Sequence, residues 1–112
     1  MNERDEICIK RIQEEINFIQ DSVKEIDKDI FLNNKIYQHA ITMSLIVIGE
    51  SVNHLSEKFR AKHSKIEWIQ IIAVRNIAAH GYWQLNMEQI LINYLNTCPI
   101  NLRKKLLSGC GL

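Results

Sequence analysis

In the first third of the chain, Ile9, Ile12, Ile16, Ile19, Val23, Ile26 and Ile30 recur at alternating steps of three and four. Steps of that size keep side chains on one stripe of an α-helix, whose turn takes 3.6 residues. The stripe predicts a long first helix ending between Asp27 and Asn34. From Lys35 the same steps return in Ile41, Leu45, Ile48, Val52, Leu55 and Phe59, predicting a second helix that pairs with the first as an antiparallel hairpin. A third helix is expected from Ser64. Its hydroxyl can accept from the backbone N–H near Glu67 while Glu67 reaches back, a reciprocal capping box, and the helix then runs through Trp68, Ile72 and Arg75 to His80. Gly81 suits the left-handed residue that closes a helix. After Tyr82 and Trp83, Asn86 with Gln89 resembles a further N-terminal cap. Met87, Ile90, Leu91, Tyr94 and Leu95 supply the next apolar face, and Pro99 kinks or restarts the helix before Leu102 and Leu106. No strand alternation interrupts the series, so residues 1–112 are expected to form a single all-α domain, a four-to-five-helix up-down bundle.

Composition narrows this reading. The 112 residues include 46% hydrophobic residues, one Pro and four Gly, a helical composition with room for one core and little beyond it. No run approaches the roughly 18 uninterrupted apolar residues of a membrane span, and Met1-Asn2-Glu3-Arg4-Asp5-Glu6 is unlike a signal peptide, so the expected setting is the cytoplasm. Cys8, Cys98 and Cys110 lie far apart without paired spacing and read as free thiols. No metal site or cofactor is expected. Net charge is only +1 but unevenly placed: residues 1–35 hold nine acidic and six basic residues, and residues 36–112 hold four acidic and eight basic. Within the second part, Lys58, Arg60, Lys62 and Lys65 flank His63, and Arg103-Lys104-Lys105 forms another cluster. Such runs are either solvated helix ends or contacts for a polyanion.

The candidate chemistry lies in Arg75-Asn76-Ile77-Ala78-Ala79-His80-Gly81-Tyr82. Arg carries a fixed charge on a planar fork of donors that fits phosphate oxygens, and His can give or take a proton near neutrality. On one regular helix, positions five apart differ by about 140°, so Arg75 and His80 do not share a face. A helix end at Gly81 or a second subunit is needed to bring the groups together. Earlier in the chain, Glu50 lies one turn from His54, a spacing that suits an ion pair or two ligands of a metal. Gly49 beside it lacks a side chain and permits another helix to come close.

Taken in order, Ile48-Gly49-Glu50, Leu55-Ser56, Ile66 to Ile72 with Trp68 seven residues before Arg75, and Arg75-Asn76 with His80-Gly81-Tyr82 resemble the HepT-type toxins of the HEPN superfamily. The likeness covers nearly the whole chain. It implies a homodimeric, metal-independent endoribonuclease in which Arg75, His80 and Asn76 of both subunits form one composite cleft. It also implies, as partner, an MntA-like minimal nucleotidyltransferase antitoxin that modifies Tyr82 with AMP. The implied substrate is RNA, with transfer RNA as one candidate, Glu50 in a supporting role and Lys58, Arg60, Lys62 and Lys65 as candidate RNA contacts. The competing reading is a catalytically inactive subunit that holds a nucleotide or its partner in the same Arg-lined groove. Ala73-Val74 and Ala78-Ala79 depart from the family pattern, being small where bulkier residues are common, which bears on how closely two subunits pack.

Overall fold

A computed structural model describes residues 2–25 and 27–81. Among them are five helices and no strand: α1 (Glu3–Glu25), α2 (Lys28–Leu32), α3 (Lys35–His54), α4 (Glu57–Lys62) and α5 (Trp68–Gly81). The all-α reading holds. The expected elements beyond Gly81, from the cap at Asn86 through Pro99 to the basic cluster at 103–105, lie outside the described residues.

Two of the expected long helices are each divided, and in both cases a short polar side chain makes the break. After α1 the chain passes through Asp27, whose backbone is extended and whose carboxylate accepts the Ile30 N–H at 2.8 Å. This caps a fresh helix and shifts its register. The consequence corrects the sequence stripe: Ile30 is 45% exposed, whereas its neighbour Phe31 is fully buried. The end of α2 is sealed by Gln38, whose Nε2 donates to the carbonyls of Phe31 and Leu32 at 3.0 Å each. Asn34 then caps α3 by accepting from the Tyr37 N–H.

The second division falls at Leu55-Ser56. Ser56 caps α4 through its hydroxyl, which accepts the Phe59 N–H at 3.1 Å. The Ser56 N–H itself donates to Asp5 Oδ1 at 2.8 Å, and its hydroxyl donates to Asp5 Oδ2 at 2.7 Å. Asp5 is thus a buried carboxylate that satisfies a chain break 51 residues away. It also fixes topology, since it sets the first turn of α1 beside the last turn of α3, as an antiparallel hairpin requires. Leu55 and Phe59 remain buried on either side of the break. The apolar pattern therefore located the core correctly although the helix carrying it is discontinuous.

The capping box expected at Ser64 is not what starts α5. Ser64 lies in the turn after α4, the helix begins at Trp68, and the Glu67 carbonyl accepts from the Ile71 N–H. What fixes this corner is Trp68, whose indole N–H lies 3.1 Å from both the Arg60 and His63 carbonyls at the end of α4. Carbonyls at a helix end lack partners within the helix, and the indole supplies one while its ring enters the core.

The core is shared by α1, α3 and α5, with α3 packed against both of the others. Ile9, Ile12, Ile16 and Ile19 from α1 meet Ile41, Leu45, Ile48 and Val52 from α3, while Trp68, Ile71 and Val74 enter from α5. Full burial of a side chain of this size contributes about 1.5–3 kcal/mol. Cys8 is buried in the same cluster, and burial together with the nearby Asp5 carboxylate raises its thiol above the ordinary cysteine range. Among the described residues no helix is long and apolar enough to cross a membrane.

α3 and α5 come close together at Gly49. A Cβ placed there would overlap the Cβ of Arg75 and come within 2.9 Å of its Cγ and 3.2 Å of the Ile71 carbonyl oxygen. These are atoms near the backbone, which cannot swing aside as a side-chain tip would. Gly49→Ala is expected to gain about 1 kcal/mol of helix propensity and lose more to overpacking, for a net destabilisation on the order of 1–2 kcal/mol in denaturant unfolding. Asp5→Ala leaves the Ser56 N–H buried without an acceptor and should cost about 1–3 kcal/mol in the same measurement.

Candidate functional site

Arg75 occupies the second turn of α5 because the helix rotates it toward α3, with Ile71 one turn before it and Ala78 one turn after buried along the same side. Its stem lies against Gly49, and its head extends past that contact to Glu50. The Arg75 Nη2 meets Glu50 Oε2 at 2.5 Å, and Nη1 donates to Asn76 Oδ1 at 2.6 Å. Nε is buried and has no hydrogen-bond partner among the described residues. Each terminal nitrogen of a guanidinium carries two N–H groups, so among the described residues one on Nη1 and one on Nη2 remain uncommitted. The side chain is 27% exposed, enough to present that edge at the surface.

Glu50 is shared. While Oε2 engages Arg75, Oε1 lies 3.2 Å from Nε2 of His54, one turn further along α3. Four side chains thus form a continuous polar chain from His54 through Glu50 and Arg75 to Asn76. Sequence spacing suggested an ion pair between Glu50 and His54, and the geometry has that form. Among the described residues no group of three His, Cys, Asp or Glu side chains is arranged to hold a metal ion.

His80 belongs to the last turn of α5, but its side chain lies outside the described residues. Tyr82 and the expected helix end beyond Gly81 lie outside them as well. Of the expected basic contacts, Lys58 and Lys62 are exposed one turn apart on α4, and Lys65 is exposed in the turn that follows. Arg60 stands apart from them. Two positions from each lysine on a helix, it points about 160° away and lines an open groove of about 650 Å³ with Glu57, Ile66, Glu67, Trp68 and Ile69. The four basic residues therefore do not make one patch: two acids border the groove at Arg60, while the lysines face elsewhere.

The long-range pairing of Asp5 with Ser56 escaped the sequence reading. An acidic residue in the first turn of a helix is ordinary, and only the fold reveals that this one is buried. The close approach at Gly49 was legible, since a glycine in the middle of an apolar helical stripe is costly unless something needs the space.

Residues 12–98 match the family model described as Ribonuclease HepT-like. The chain is 33% identical over 91 residues, 81% of each protein, to a protein of Caldanaerobacter subterraneus subsp. tengcongensis named "Putative RNase TTE0752". It is 32% identical over 75 residues, 67% of this chain and 69% of the relative, to "Putative RNase MJ1380" of Methanocaldococcus jannaschii. A "Probable ribonuclease HepT" of Thermococcus cleftensis is 28% identical over 80 residues, 71% of this chain and 73% of the relative. No solved structure matches the chain significantly. The motif at Arg75 to Tyr82, the helical fold and these likenesses along most of the sequence agree, and the chain belongs to the HepT-like ribonuclease family of the HEPN superfamily.

Proposed function

We propose that this chain is the toxin of a two-component module and cuts RNA without a metal ion, through a cleft to which two copies each contribute Arg75, Asn76 and His80. The observation that carries the reading is the Arg75 guanidinium. It is anchored by Glu50 and Asn76, and its two uncommitted N–H groups can fork onto the oxygens of a phosphodiester. The ribonuclease names of the relatives supply the substrate class.

RNA carries its own nucleophile. One His80 takes the proton of a 2′-OH as that oxygen attacks phosphorus, and the P–O5′ bond breaks as the partner subunit's His80 protonates the leaving oxygen. The products are a 2′,3′-cyclic phosphate and a 5′-OH. Arg75 neutralises the charge that builds on the equatorial oxygens, the kind of electrostatic stabilisation that dominates phosphoryl transfer. Asn76 keeps one end of the guanidinium fixed in this role.

Assembly as a homodimer is supported by the outer side of α5. Ile69 is 83% exposed and Ala73 is exposed on a helix whose opposite side is already in the core, and a second copy is the simplest cover for such a face. Tyr82 follows the motif closely enough for AMP transfer by a nucleotidyltransferase antitoxin to add charge and bulk beside the arginines, repelling RNA. The same anchored guanidinium also suits a catalytically idle subunit that binds a nucleotide or its partner, because Glu50 already offsets part of its charge.

The two readings separate on incubation of the purified protein with RNA in EDTA. We expect chelator-resistant cleavage that leaves cyclic phosphate ends and falls at least about 100-fold in both Arg75→Ala and His80→Ala. Absence of cleavage with retained nucleotide binding would instead favour the idle subunit.

A further inference from the structure

We infer that His54 is a positioning residue for Arg75, acting through Glu50. The inference rests on the reading of Arg75 as the phosphodiester contact and adds to it a residue outside the Arg75 to Tyr82 motif. An arginine beside a carboxylate ordinarily closes a two-pronged clamp, in which two parallel N–H groups meet the two oxygens. Here the clamp is open. Glu50 gives Arg75 a single oxygen, Oε2, because its other oxygen faces Nε2 of His54 at 3.2 Å. Nη1 of the guanidinium, left without a second carboxylate oxygen, turns to Asn76 instead.

The consequence concerns how much of the guanidinium's charge is left for a phosphate. A clamped arginine has both terminal nitrogens on one carboxylate, which offsets its charge at both ends. With His54 facing Oε1, only Nη2 meets the carboxylate while Nη1 meets the neutral amide of Asn76, so Glu50 offsets the guanidinium's charge at one end alone. His54 does this from the surface. Its side chain is 60% exposed, and it takes no part in the hydrophobic core, so its removal leaves packing intact. Among the described residues the imidazole is paired with Glu50 Oε1, and the buried Asp5 from α1 lies at the same end of α3. The Asp5 carboxylate is committed to Ser56, which leaves Glu50 as the imidazole's partner.

The effect belongs to an exposed pair, and exposed ion pairs are worth at most about 1 kcal/mol. The expected change is correspondingly modest, about two- to fivefold in affinity. The probe is a short RNA with 2′-O-methyl groups throughout, which binds but lacks the nucleophile for cleavage. His54→Ala should weaken its binding by that factor and lower kcat/KM for cleavable RNA at least as much, while leaving the unfolding midpoint near the parent value. His54→Gln, which restores an N–H donor one turn from Glu50, should recover most of the loss. In a Glu50→Gln background, His54→Ala should change nothing further.

Three results would overturn the inference. Unchanged binding in His54→Ala, alongside weak binding in Arg75→Ala, would show that Arg75 meets the phosphodiester without help from His54. A loss in His54→Ala that persists in the Glu50→Gln background would show that His54 does not act through the carboxylate. Full binding by Arg75→Ala would remove the underlying reading of Arg75, and the positioning role with it.

Discussion

The contact on which this structure depends is the approach of α5 to α3 at Gly49. Two helices cannot come this close where both carry side chains, and here the absence of one on α3 is matched by the Cβ and Cγ of Arg75 on α5. The contact does two things at once. It lets Ile71 and Val74 reach the shared core, and it lays the arginine stem against α3 so that its head emerges beside Glu50. A cation in the middle of a mostly apolar helix would otherwise have to be desolvated or swing away from the packed side. At Gly49 it runs along the helix junction and remains both anchored and reachable.

The rest of the scaffold keeps that junction in place with short polar side chains at the chain breaks. Asp27, Asn34 and Ser56 each cap a helix, and Asp27 and Ser56 stand where the apolar stripe alone would have continued. Asp5 and Trp68 act over longer distances. The first joins the start of α1 to the end of α3, and the second closes α4 onto the beginning of α5. These bonds involve buried or half-buried groups whose loss leaves a donor or acceptor unpaired, so their weight exceeds that of the surface ion pairs.

Much of this was legible in the sequence because period and composition carry it. The apolar steps at Ile9 to Ile19 and at Ile41 to Val52 identify core positions directly, and Gly49 beside Glu50 signals a close approach. Helix boundaries were less accessible. A continuous stripe does not show where a cap will interrupt it, and the shift from Ile30 to Phe31 follows from Asp27 taking one N–H. Ser64 and Glu67 had the right spacing for a capping box, yet the indole of Trp68 decided the corner. The basic run at Lys58 to Lys65 looked like one patch because a sequence has no sides, whereas a two-residue step on α4 turns Arg60 away from the lysines. At the candidate site, residue types and spacing singled out Arg75 and Glu50 and the family resemblance added Asn76, while the sharing of Glu50 between Arg75 and His54 required coordinates.

The site is thus an arginine whose position comes from packing and whose reach comes from an incomplete ion pair. Its buried Nε–H, having no hydrogen-bond partner among the described residues, is shielded from solvent and offers a direct reporter of the guanidinium. Titration of the ¹⁵N-labelled protein with the 2′-O-methyl RNA, followed through the Arg75 Nε–H resonance, tests the central claim most directly. The account predicts a saturable shift of that resonance, abolished as binding is lost in high salt. A resonance that stays fixed while those of other residues respond to the RNA would contradict it.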